Sequence, residues 1–237
     1  MTTRGITYML KNKLYIDFCT KSLGIPLVLQ RGPSFEMPKD SDFIPPNSTE
    51  RDGKIDPTPL EIYQAIGKIY DTGYDTEGTR EDELNGIVFA GYGDPLIRLD
   101  ELIETTQGIL TARPGSPIRV NTLGLVDKTI AFDTAQKLKD SGLESISVAI
   151  AADNPPLYDE LVQPTECNFQ DVCAFVVACN ESGLDVECTA VEHPKVSINN
   201  VRNLAESLGA SFKSRTYHEW TKNFITHLFI YYIFNIY

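Results

Sequence analysis

The residues best equipped for chemistry gather in one short stretch, Gly91-Tyr92-Gly93-Asp94-Pro95. It follows Ile87–Ala90, an apolar and partly β-branched run that reads as a buried strand. A helix follows, with Leu99, Leu102, Ile103, Thr106, Ile109 and Leu110 at helical spacing. Two glycines allow backbone that other residues avoid, proline stops the ladder, and one carboxylate sits between them. In α/β proteins such a loop lies at the carboxyl end of its strand, where ligands bind. The same residues also serve simply to turn a corner, with Asp94 as a turn acid before proline. A dinucleotide-phosphate turn at Gly91-x-Gly93 fails on two counts. Leu96 stands where the third glycine belongs, and the stretch follows the second strand of the chain instead of the first.

Other candidates for chemistry are isolated. His193 precedes a proline at a strand end and His218 follows the last strand. Either could act as a general base, yet neither has a nucleophile partner, and a structural role is the plainer reading. GxSxG, HExxH and P-loop signatures are absent. The five cysteines are Cys19, Cys167, Cys173, Cys179 and Cys188. Their odd number, with no apolar leader at the N-terminus, points to free thiols in a reducing compartment and a cytoplasmic location. No CxxC pair occurs, and the six-residue spacing of Cys167, Cys173 and Cys179 scatters them around a helix. They read as small buried hydrophobes. The acidic run over 70–86 fails as a calcium loop because Thr76 stands where the EF-hand turn needs glycine, so it reads as a solvated loop.

The 237 residues suffice for one large α/β domain with a substantial core. A net charge of −12 argues against a nucleic-acid partner, since no basic face can be assembled to displace counterions.

The elements that must position Asp94 form a repeating unit of helix, glycine and strand. Leu14–Cys19 reads as the first strand, and a long irregular connection rich in proline spans residues 22–57, a length usually associated with function or disorder. Thr58, Pro59 and Glu61 then make a helix start with a capping box, and Ile62, Ile66, Ile69 and Tyr70 form its inner face. Gly86, Gly115, Gly142, Gly183 and Gly209 each precede an apolar run. The strands they introduce are Ile87–Ala90, Ile118–Asn121, Ser145–Ile150, Val186–Val191 and Phe212–Tyr217. Further helices cover Ile130–Asp140 and begin at the N-caps Asn168 and Ser197. Six strands alternating with helices mean a parallel sheet with right-handed crossovers, either a partial barrel or an open doubly wound sheet. The segments after the strands converge on one mouth, a binding face for a small-molecule ligand or a protein partner. The tail over 218–237 is apolar but too short and too interrupted by polar residues to read as a membrane span.

With these loops in place, the chain resembles a radical S-adenosylmethionine (radical SAM) protein from about Ile6 to Tyr217, closest to the branch linked to TatD-type nucleases. Gly91-Tyr92-Gly93-Asp94-Pro95 is similar to the family's Gly-Gly-Glu-Pro-like segment, which contacts the SAM amino group, with Asp94 in place of glutamate. Arg119-Val-Asn121-Thr122-Leu-Gly124 is similar to the Asn-Thr-Asn-Gly segment at the third strand, with Leu123 replacing the second asparagine. Ser145-Ile-Ser147 and Tyr158–Pro164 look like the fourth-strand region. The resemblance implies an α/β fold with a six-stranded parallel partial (β/α) TIM-like barrel over residues 1–217. It implies S-adenosylmethionine at Gly91, Tyr92, Gly93, Asp94, Pro95, Asn121, Thr122 and Ser147, with Asp94 toward the amino group and Asn121 and Ser147 toward ribose or carboxylate. Strand-end hydrogen bonding is the structural alternative for Asn121 and Ser147.

The departure falls on the iron–sulfur loop. The family holds a [4Fe–4S] cluster with Cys-x3-Cys-x2-Cys after the first strand, and the matching positions here are Ser22, Pro26 and Leu29. Clusters of this kind are held by thiolates. Neither proline nor leucine offers a ligand atom, and Cys19 alone cannot replace three. No [4Fe–4S] cluster is therefore expected. The reading that follows is a cluster-free pseudoenzyme that binds S-adenosylmethionine, a related small ligand or a protein partner, with catalysis left open. Two alternatives stand beside it. One is an active radical SAM enzyme whose cysteine loop is lost from this gene model. The other is a nucleotide-binding α/β protein.

Overall fold

The computed structural model describes residues 4–51, 55–71 and 85–219. The 70–86 acidic run, with Thr76, lies mostly outside them, as do residues 220–237 of the tail. The strands are β1 (Thr7–Leu10), β2 (Lys13–Asp17), β3 (Ile87–Ala90), β4 (Ile118–Thr122), β5 (Ser145–Ala149), β6 (Asp185–Val191) and β7 (Ser211–Arg215). The helices are α1 (Leu27–Gln30), α2 (Pro59–Asp71), α3 (Leu99–Ala112), α4 (Ala131–Asp140), α5 (Pro155–Val162), α6 (Phe169–Glu181) and α7 (Ile198–Ser207).

All seven strands form one sheet in sequence order, and β2 to β7 run parallel. Every crossover therefore steps the same way. A doubly wound sheet must reverse its strand order at a switch point, and none occurs. The sheet is an open, partial (β/α) barrel, which settles the choice left by periodicity. β1 does not pair with β7.

Three elements go beyond the sequence expectation. β1 pairs antiparallel with β2, Tyr8 opposite Tyr15, through a turn that puts Lys11 at a φ of 57°. The turn is Lys-Asn with no glycine, so the usual hairpin signal was missing. α5 starts at two consecutive prolines, which read as loop, yet proline suits the first helical turn and Asn154 caps it by accepting from Leu157 N. α1 is a single turn inside the long connection after β2.

The helix starts match the sequence. Thr58 and Glu61 bond reciprocally, Asn168 and Asp171 form a capping box, and Ser197 accepts from Asn200 N. Strand burial shows why the sheet has two different faces. In β4, Ile118 and Val120 are buried while Arg119 and Asn121 between them are only half-buried. The apolar set joins Phe18, Phe89, Ile146 and Val148 in a core shared with Leu102, Leu138, Phe175 and Val201 of the helices. Each such side chain contributes roughly 1.5–3 kcal/mol by leaving water. The opposite, concave face keeps the polar residues.

The long connection after β2 is tied down by charge. Arg51 forms an ion pair with Asp17 at the end of β2, with side chains only 2% and 1% exposed. Arg51→Ala leaves the Asp17 carboxylate buried without its counter-charge, a loss of about 3–5 kcal/mol. We expect a lower urea midpoint for Arg51→Ala and substantial recovery in Arg51→Met/Asp17→Leu. A single variant as stable as the wild type would mean that the pair anchors nothing.

Candidate functional site

The site is built where β2, β3 and β4 end side by side. Register places Asp17 opposite Ala90, Phe89 opposite Val120, and Asn121 opposite Ser147. After Ala90 the chain turns at Gly91 with a φ of +115°. A side chain there would also collide with the Asp17 carboxylate, so glycine is required twice over. Tyr92 N donates to Asp17 Oδ1 at 3.0 Å. Gly93 N donates to Cys19 O at 2.7 Å and Asp94 N to Lys21 O at 2.8 Å, which zips this loop to the segment after β2. A Cβ on Gly93 would meet those same two carbonyls.

Asp94 caps the 3-10 turn Pro95–Arg98 by accepting from Leu96 N at 3.0 Å. Both of its oxygens also lie 2.8 Å from Thr122 Oγ1, and Leu123 N donates to Oδ2 at 2.8 Å. The carboxylate is thereby engaged inside the protein, joining the β3 loop to the end of β4. Burial pushes its carboxyl above the usual range, more strongly than these donors pull it down. Burial likewise raises Asp17, against the pull of Arg51.

The connection over 22–57 crosses the mouth. Ile25 N donates to Val162 O and Thr165 N to Leu23 O, fastening its start to the end of α5. Its middle pairs with the chain after β7: His218 N donates to Arg31 O, Ser34 N to His218 O, and Arg31 Nε to Thr216 O. At its end Asp56 accepts from Thr20 N and Oγ1, and Arg98 Nη1 donates to Phe18 O and Pro57 O. Beneath the connection lies a cavity of about 150 Å3. Of the residues named from sequence, Gly91, Asn121 and Ser147 line it. Tyr92, Gly93, Asp94, Pro95 and Thr122 do not. They form the layer that holds Gly91 and Asn121 in place. Asn121 Oδ1 is buried with no hydrogen-bond partner among the described residues, an unsatisfied acceptor on a residue of the cavity wall.

Sequence reasoning missed Arg31, Thr189 and Arg215 on the cavity wall. Thr189 and Arg215 sit near the carboxyl ends of β6 and β7, a position that could have flagged them. Arg31 lies in irregular chain and carries no local signal. A wider recess of about 650 Å3 beside β1 and α2 contains none of the candidate site residues named from sequence. The histidines take structural contacts: the His193 ring packs edge-on against Tyr217 and accepts from Lys195 N, and His218 packs on Phe35.

Among the described residues no three His, Cys, Asp or Glu side chains gather as metal ligands. All five cysteines are free. Burial pushes Cys179 and Cys188 up to about 12 and Cys173 to about 11. Cys19 points its thiol at Lys21 O and is raised to about 11. Ser22 Oγ accepts from Gly24 N, Pro26 O accepts from Leu29 N and Gln30 N as α1 begins, and Leu29 is 52% exposed.

No protein-family model matches this chain, and no curated protein matches it. Solved structures do share its fold. One is HydG, a maturase of the [FeFe]-hydrogenase, at a TM-score of 0.55 and 14% identity over 87% of this chain and 42% of that one. Another is SuiB of Streptococcus suis, at 0.53 and 15% over 71% and 36%. The chain thus spans about two-fifths of the length of these proteins. Both are radical SAM enzymes, and at this identity the likeness is one of fold: an α/β sheet that is mostly parallel and not closed. Among the described residues no helix is long and apolar enough to cross a membrane.

The double role of Asp94 yields a test. Asparagine has one acceptor oxygen where the backbone presents N–H groups to both, so Asp94→Asn should lower stability by about 1–3 kcal/mol. Because its folded carboxyl is raised, wild-type stability from Asp94 is complete below the unfolded carboxylate value of about 3.9 and declines as pH rises through the folded value. Asp94→Asn lacks this slope, and its deficit should shrink from acid toward neutral pH in denaturant titrations. A constant deficit would show that Asp94 is not raised by folding.

Proposed function

We propose that this chain is a cluster-free member of the radical SAM superfamily, of the TatD-linked branch, that binds S-adenosylmethionine or a related small ligand without radical chemistry. The observation that carries the reading is the mouth cavity with its buried, unpartnered Asn121 Oδ1 beside Ser147. A ligand hydroxyl or ammonium donated there satisfies an atom that is otherwise costly to bury. The Gly91 backbone adds to the same wall from the next strand. Asp94 acts as a positioning residue, fixing Thr122 and the loop that shapes the wall.

The iron–sulfur cluster does not fit these residues. The positions that match the family's three cysteines offer a hydroxyl, a proline ring and an isobutyl group, where thiolates are needed. Cys19 is held as a thiol by burial. No step through a cluster is derived. The ligand then loses the iron chelation that would hold its amino and carboxylate groups, and its affinity must come from the cavity wall.

The test is iron and labile sulfide per chain after anaerobic reconstitution, with S-adenosylmethionine calorimetry on the same sample. We expect no stoichiometric iron or sulfide, and binding that Asn121→Leu weakens about tenfold, equivalent to about 1.4 kcal/mol. Stoichiometric cluster would overturn the cluster-free reading and favour an active enzyme. Absence of any S-adenosylmethionine heat would overturn the ligand assignment.

A further inference from the structure

We propose that the β7 side of the mouth cavity is a site for the oxyanion group, a carboxylate or a phosphate, of a small organic ligand, held between Arg31 and Arg215. This goes beyond the S-adenosylmethionine reading and does not rest on it. Arg31 and Arg215 both line this cavity, Arg31 from the connection after β2 and Arg215 from the end of β7. Arg31 is fixed by three contacts that supply no negative charge. Its Nε donates to Thr216 O at 3.1 Å, its Nη2 lies 3.5 Å from His218 Nε2, and its guanidinium sits 4.5 Å over the Phe35 ring. Arg215 has one carboxylate near it, Glu187, at 3.8 Å, and the Glu187 Oε1 atom concerned is buried without a hydrogen bond. The pair is too long for a charge-assisted hydrogen bond. Two cations are thus placed together with incomplete compensation.

The surroundings strengthen the field. Burial first, and then the Arg215 charge, lowers the Arg31 pKa. Deeper on the concave face Lys13 is lowered by burial and by the charges of Arg119 and Lys213, with Glu187 as the opposing acid. Arg119 has a buried Nε with no partner and bonds Tyr15 only at 3.4 Å. Asp17 is already neutralised by Arg51. In a protein of net charge −12, Arg31 and Arg215 therefore share one cavity wall with only Glu187 as a nearby counter-charge, while Lys13, Arg119 and Lys213 add positive charge elsewhere on the concave face. Such a local excess in a walled site focuses attraction on an anion. Guanidinium forks bind carboxylate and phosphate in two-pronged geometry. The stacked Tyr8 and Tyr15, with Leu27 and Met37, provide an apolar wall against which a ring of the ligand can lie.

The experiment is calorimetry of the full chain at low salt with 3-phenylpropanoate, phenyl phosphate and neutral 3-phenylpropanamide. The proposal expects both acids, or one of them, to bind and the amide not to, with affinity falling as sodium chloride is added. The stronger acid identifies the oxyanion. Arg215→Gln and Arg31→Gln should each weaken binding about tenfold or more, and Arg215→Lys should retain part of it. Glu187→Gln should tighten binding by removing the competing charge, an effect that a merely structural role for these residues would not produce. Arg202→Gln, on the exposed face of α7, should change nothing. Thermal unfolding of each free variant separates lost binding from lost folding. Equal affinity for acids and amide, no binding of either acid, or undiminished binding in Arg215→Gln that remains folded would overturn the proposal.

Discussion

The buried pair of Arg51 and Asp17 is the constraint on which the mouth depends. Neither charge tolerates removal from water alone, and their mutual attraction compensates only when both are in place. Asp17 ends β2, whereas Arg51 comes from the far end of an irregular connection, so the pair forces that connection to return to the sheet. The same carboxylate accepts from Tyr92 N and leaves no room for a side chain on Gly91. One residue therefore sets the path of the chain after two adjacent strands.

Asp94 repeats the device one strand further on, joining the loop after β3 to the end of β4 through Leu96, Thr122 and Leu123. Two buried carboxylates thus act as internal posts. Their oxygens face backbone N–H groups, a hydroxyl and the Arg51 guanidinium, not open space. What remains for a ligand is the layer in front of them: the Gly91 backbone, Asn121, Ser147 and the wall contributed by the crossing connection. The division of labour between posts and lining is invisible in the order of residues, because Gly91 and Asp94 are close neighbours in sequence yet belong to different layers.

An open barrel of this kind supports many activities, and what a given chain does is written in its site. Here the site joins an acceptor without a donor to cations without full counter-charge, inside a protein whose surface is acidic. The two features lie on different strands of one concave face, which the period-two alternation of β4 to β7 keeps polar while the opposite face is buried under helices.

Much of the fold was legible in the residues. The alternation of apolar runs with glycine-ended helices, the caps at Thr58, Asn168 and Ser197, and the strands from Leu14 to Arg215 follow from interactions between residues a few positions apart. Those interactions are present in any conformation of the chain nearby. β1 and α5 escaped because a glycine-free turn and a double proline sent the wrong local message. The pairing of Arg51 with Asp17, the engagement of Asp94 by Thr122 and Leu123, and the meeting of Arg31 with Arg215 were decided only by tertiary structure. Each joins residues far apart in sequence, and charge or hydrogen-bonding capacity alone does not say which of many possible partners closure of the sheet will bring within reach.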